Sequence, residues 1–116
     1  MELIDEIEEL IMMHQEGSYW DFKREWYDDS KDGDLLIDII CMANNLVDRD
    51  AYIIIGVNEE CDYAIHDVSQ DANRRNTQML TDFIRGKKFA GDFRPVVTVE
   101  QVHLDGGLVD VIVVHK

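Results

Sequence analysis

The run Tyr52-Ile53-Ile54-Ile55-Gly56-Val57 constrains this chain more than any other stretch. A strand with one face in water alternates apolar and polar side chains, whereas an unbroken apolar run needs cover on both faces. These residues therefore predict a central strand with a packing layer above and below it. The cover must come from a chain of 116 residues, enough for one domain and one modest core.

Helical periodicity supplies that cover. Leu3, Ile4, Ile7, Leu10 and Ile11 form one stripe of a helix over 2–15, with Glu2, Asp5, Glu6, Glu8 and Glu9 on the remainder. A second helix is predicted over 34–47 and is apolar nearly all round, so it is expected to be deeply buried. A third, over 70–86, would bury Ala72, Met79, Leu80, Phe83 and Ile84, and would carry Arg74 and Arg75 in its first turn. Those cations have the wrong sign for a helix N-terminus, a local conflict that hints at function.

Strand signals fill the gaps. Residues 19–27 alternate and are rich in aromatics, 63–66 can form a short strand, and Pro95 opens a strand to about Leu104. Asp105-Gly106-Gly107 reads as a hairpin turn and 108–115 as the return strand. The order αβαβ(β)αββ places the chain in the α+β class, with a mixed β-sheet and about three helices. The final strand has no capping segment after it, so the domain is expected to be the N-terminal part of a longer protein or to meet a partner at that edge.

Composition closes off several function classes. No apolar run approaches the roughly 20 residues of a membrane span, and the N-terminus lacks a signal-peptide pattern, so a cytoplasmic chain is expected. Cys41 sits in an apolar helix pattern and is expected to act as a small hydrophobe, while Cys61 has no basic neighbour to activate it. His14, His66, His103 and His115 show no zinc-ligand spacing, and Ser18, Ser30 and Ser69 lack a nucleophile elbow.

Charge is unevenly spread. The net charge is −14, which alone argues against a polyanion partner. Yet residues 74–94 hold Arg74, Arg75, Arg85, Lys87, Lys88 and Arg94 against only Asp82 and Asp92. With Phe89 and Phe93 interleaved, this segment can grip phosphates and stack on unpaired bases, or it can be a solvated face with both rings in the core. Trp20 and Trp26 are expected in packing.

Three ordered segments resemble the Schlafen AlbA-like family. They are Glu16-Gly17-Ser18-Tyr19-Trp20-Asp21-Phe22-Lys23, then Met42-Ala43-Asn44-Asn45, then Tyr52 through Val57 closing on Asn58-Glu59. The resemblance spans about residues 10–115. Where the family usually has a Gly-Gly turn, this chain has Leu46-Val47-Asp48-Arg49-Asp50-Ala51, so a longer helix end or loop must replace it.

The resemblance implies a nucleic-acid-binding module, RNA favoured over DNA. Nuclease members hold a divalent metal with three carboxylates, and the matching positions are Glu16, Asp21 and Glu59, with Lys23 beside them on the strand face of Asp21. Hard Mg²⁺ or Mn²⁺ suits such oxygen ligands. Five extended residues span roughly 17 Å, so Glu16 must fold back over the strand of Asp21 to share an ion with it. The alternative leaves Glu16 at a helix end, Asp21 paired with Lys23 or Arg24, and Glu59 in a turn. Family nucleases form a clamp from two related lobes, so one lobe implies a homodimer.

Phosphate binding through 74–94 leads on the sequence alone, ahead of a metal-dependent endoribonuclease and of a structural or oligomerising module. ATP hydrolysis, another label the family carries, has no phosphate-binding loop to support it: Gly86-Lys87-Lys88 follows a helix, and Gly86 is expected to end that helix.

Overall fold

The central run becomes strand β2 (Ala51–Ile55) in a computed structural model that describes residues 1–87 and 94–116. Around it the chain forms α1 (Leu3–Met12), β1 (Trp20–Lys23), α2 (Asp32–Ala43), β3 (Val57–Asn58), β4 (Ala64–Ile65), α3 (Thr77–Arg85), β5 (Val96–Leu104) and β6 (Gly107–His115). The main sheet has the order β1-β2-β6-β5, with β1 parallel to β2 and the other pairs antiparallel. β3 and β4 make a separate two-stranded ribbon. The α+β architecture with a mixed sheet is as expected.

Both faces of β2 are covered, which is why its sequence does not alternate. Ala51, Ile53 and Ile55 pack with Leu35 and Ile39 of α2 and Leu80 and Ile84 of α3. Tyr52 and Ile54 pack on the other face with Ile7 and Leu10 of α1. Each fully buried isoleucine here contributes roughly 1.5–3 kcal/mol relative to exposure. Among the described residues no helix is long and apolar enough to cross a membrane.

Four expectations need correction. α2 is not deeply buried: Leu35 and Ile39 alone are buried, and Ile37 is 59% exposed. It lies on the outside of the sheet, so only one stripe finds cover. Cys41, on the same helix, is consequently an exposed free thiol rather than a core residue.

α2 also stops at Ala43, not 47, because the Asn45 side chain organises a loop. Its amide donates to the carbonyls of Met42 and Arg49, and its oxygen accepts from the Val47 and Arg49 amides. Arg49 then reaches back to Glu6 and to the Tyr52 hydroxyl, with its guanidinium 4.0 Å from the Tyr19 ring. These contacts replace the family's glycine turn.

α3 begins at Thr77, so Arg74 and Arg75 precede it. Asn76 caps it by accepting from the Met79 amide, and Asp67 and Asp71 close side-chain turns onto Ser69 and Asn73. Such side chains compete with the helix for backbone donors. Gly86 ends α3 as expected. Lys88, Phe89 and Phe93 lie outside the described residues.

Candidate functional site

Glu16 reaches β1 because the chain reverses sharply after α1. His14 takes a left-handed conformation, φ 51°. The Trp20 indole N–H then donates to the Gln15 carbonyl at 2.9 Å, and the Gly17 amide to the Trp20 carbonyl at 3.2 Å. Gly17 lies flat against the Trp20 ring; a Cβ there would sit 2.1 Å from a ring carbon, so no larger residue fits without moving the indole. The reversal lays Glu16 back over the strand.

Asp21 is in β1, where burial alternates with Trp20 and Phe22 inward. Glu59 arrives from the neighbouring strand. β1 and β2 pair up to Lys23↔Ile55, and the Gly56 amide donates to the Lys23 carbonyl at 2.7 Å. Gly56 has φ +118° with Val109 and the His66 carbonyl close by, a position only glycine fills without strain. The chain turns there through β3 into a short 3-10 turn, Glu59–Cys61, fixed by Asn58 accepting from the Glu60 amide.

The three carboxylates therefore meet. One oxygen from each of Glu16, Asp21 and Glu59 lies within 4.8 Å of the others. Asp21 is pushed up to about 6, by burial first and then by its hydrogen bond to Glu16, with Lys23 opposing. A cleft of about 450 Å³ opens beside them, lined by Phe22, Lys23, Arg24, Val57, Asn58, Glu59 and Glu60.

Lys23 shares the face of Asp21. Its ammonium lies 3.4 Å from Asp21 and 3.5 Å from Asp38 of α2. Burial opposes that charge, but the two carboxylates more than offset it and hold the ammonium above its ordinary pKa. The Tyr27 hydroxyl donates to Asp38 at 2.6 Å, and burial together with Asp38 pushes the phenol upward. Asp38 and Tyr27 were not anticipated, although a lone carboxylate inside Leu35-Leu36-Ile37-Asp38-Ile39-Ile40 was a legible signal.

The basic segment is not one surface. Arg74 makes a two-pronged pair with Asp110 of β6, at 2.9 and 3.0 Å, and Asp110 also accepts from the Trp26 indole at 2.8 Å. Asp110 is 1% exposed. Arg75 pairs with Asp32 at 2.5 Å and lies over the Phe83 ring. Arg94 donates to the carbonyls of Ile84, Arg85 and Lys87, at the end of α3. Arg85 projects into solvent 3.8 Å from Asp82, and the Lys87 ammonium sits 4.8 Å from the centre of the Phe83 ring. Trp20 and Trp26 are both buried, as expected.

Fold and site together define a small α+β domain whose carboxylates converge at the edge of a mixed sheet. The chain belongs to the Schlafen AlbA_2 family: the family model, described as Schlafen, AlbA_2, matches residues 16–116 and so includes all three carboxylates. Membership carries a nucleic-acid-related role at the level of the family. No curated protein matches the sequence.

Proposed function

We propose that the domain is a divalent-cation-dependent endoribonuclease module, with Glu16, Asp21 and Glu59 as the cation ligands. One observation carries this reading: three carboxylates from separate parts of the chain come within 4.8 Å of one another. Holding like charges together is unfavourable without a counter-ion. Asp21, its pKa raised by burial first and then by its hydrogen bond to Glu16, is the member for which the negative charge costs most. Hard carboxylate oxygens fit Mg²⁺ or Mn²⁺. Bound there, such an ion supplies Lewis acidity for phosphodiester hydrolysis.

The chain's own residues do the rest. Lys23, beside the cluster and on the cleft wall, offers an ammonium to a substrate phosphate, while Asp38 and Tyr27 keep it from collapsing fully onto Asp21. Arg24 lines the same cleft. Because Arg74 and Arg75 are held by Asp110 and Asp32, and Arg94 by the carbonyls at the end of α3, the phosphate grip outside the cleft falls, among the described residues, to Arg85 and Lys87.

A second reading, binding without cleavage, is favoured by the 72% exposure of the Arg85 side chain. Incubation of structured RNA with Mn²⁺ or Mg²⁺ separates the two. Cleavage by the wild type that drops at least a hundredfold in Glu16→Ala and Asp21→Ala is expected. Intact RNA, with salt-sensitive binding retained, would leave the binding module as the function.

A further inference from the structure

Beside the carboxylates stands a pair of rings that the reading above does not use. His14 and Tyr63 are stacked, with centroids 4.7 Å apart and planes 18° from parallel. Tyr63 in turn meets Phe22 edge-on at 5.5 Å, and Phe22 lines the cleft. His14 is two residues from Glu16, and Tyr63 is four from Glu59, so the ring pair is tied to two of the three carboxylates. The Tyr63 hydroxyl is held above its ordinary pKa by desolvation and then by Glu59, Glu16 and Asp62.

The backbone is bent to hold this pair. Of the four non-glycine residues with positive φ among those described, three are here: His14 at 51°, Asp62 at 56° and Tyr63 at 59°. Left-handed backbone is unfavourable for L side chains, and a tyrosine there is rarer than a histidine or aspartate. Such conformations gather where a function requires them. Asp62 lies 3.5 Å from His14 Nδ1. The packing does not consume the rings: the His14 side chain is 48% exposed, while its partner Tyr63 is half-buried.

We propose that the open face of His14, backed by Tyr63, is a stacking platform for one unpaired nucleobase. This rests on the nucleic-acid reading of the carboxylate cluster and names the part of the substrate that the cluster itself does not touch. A strand whose phosphate lies at Glu16, Asp21 and Glu59 carries a base toward the histidine, extending the two-ring stack to three. Stacking on aromatic side chains accepts any base, so the platform selects single strands over paired ones rather than a sequence. The surrounding carboxylates repel phosphate, so the platform operates only with a divalent cation present.

The test compares a short single-stranded oligoribonucleotide with a ribose-phosphate oligomer of equal length that lacks bases. Both are titrated at constant ionic strength in Ca²⁺, a hard cation for the same oxygen ligands, with the strands checked to be intact afterwards. The wild type is expected to bind the base-bearing strand roughly tenfold more tightly, in line with one stacked base. His14→Asn, which keeps a residue tolerant of left-handed backbone, should bring that ratio close to one without changing the affinity for the base-free strand. Tyr63→Leu should lower the ratio and Tyr63→Phe should retain it. A ratio unchanged in His14→Asn and Tyr63→Leu would overturn the platform alone. A wild type that binds neither strand would bring down the nucleic-acid reading, and the platform with it.

Discussion

Asp110 and Asp21 are both carboxylates on strands of the same sheet, and their surroundings are opposite. Asp110 takes two hydrogen bonds from Arg74 and one from Trp26, so its charge is matched and its acceptors are occupied. Asp21 accepts from the Phe22 amide and lies 3.4 Å from Lys23, but it also faces Glu16 and Glu59. A neutralised buried charge holds a fold together. A cluster left with excess negative charge favours a cation. Arg74 and Arg75, which read as phosphate ligands along the chain, therefore sit in matched pairs, and the acids proposed as cation ligands sit in the unmatched cluster.

Breaking the matched pair should have the largest effect. Arg74→Ala strands a carboxylate that is 1% exposed, and removal of one partner from such a pair costs about 3–5 kcal/mol. Urea denaturation should show that loss; a change below about 1 kcal/mol would erase the contrast between the two regions. Salt-dependent RNA binding measured on that variant would report unfolding, not a missing phosphate contact.

The unmatched cluster should respond in the other direction. Asp21 titrates at about 6 in the folded chain, against 3.8 for the ordinary group. Between those values the folded state holds more proton than the unfolded one, so metal-free stability falls as pH rises through the window and is level above it. Asp21→Asn should remove this fall and raise stability at pH 7 by about 1–2 kcal/mol. Thermal melts at pH 4.5 and 7 in a chelator check the sign. A variant less stable than wild type at pH 7 would mean that Asp21 is held for structure, like Asp110.

The smallest stability effect belongs to the exposed end of α3. Arg85→Ala with Lys87→Ala should change stability by less than about 0.5 kcal/mol, as surface substitutions do. The same pair should lower the log–log salt slope of RNA binding by about 1–2, one unit per lost phosphate contact. An unchanged slope would remove this face from the nucleic-acid surface.

The layers of the fold were legible because burial writes directly into periodicity. The unbroken Tyr52–Val57 run required two covers, and the stripes of α1 and α3 provided them. Helix ends were less legible. Asn45 and Asn76 are unremarkable as letters, yet their side chains end one helix early and start another late. The carboxylate trio was readable only through its resemblance to a family, since its members are 5 and 38 residues apart and meet through a reversal at Gly17 and a turn at Gly56. Asp110 was visible as a charge inside Leu108-Val109-Asp110-Val111-Ile112, but its partner Arg74 is 36 residues away, and nothing local pairs them. Asp38 and the His14–Tyr63 stack likewise depend on chain segments that only the fold brings together.

Calorimetric titration of Mn²⁺ into the wild type and Asp21→Asn at pH 7.5 tests the carboxylate centre most directly. Saturable binding of Mn²⁺ by the wild type, weakened at least tenfold by a substitution that leaves the chain folded, is the predicted result. No saturable binding by the wild type, or equal binding by both, would contradict a cation site at Glu16, Asp21 and Glu59.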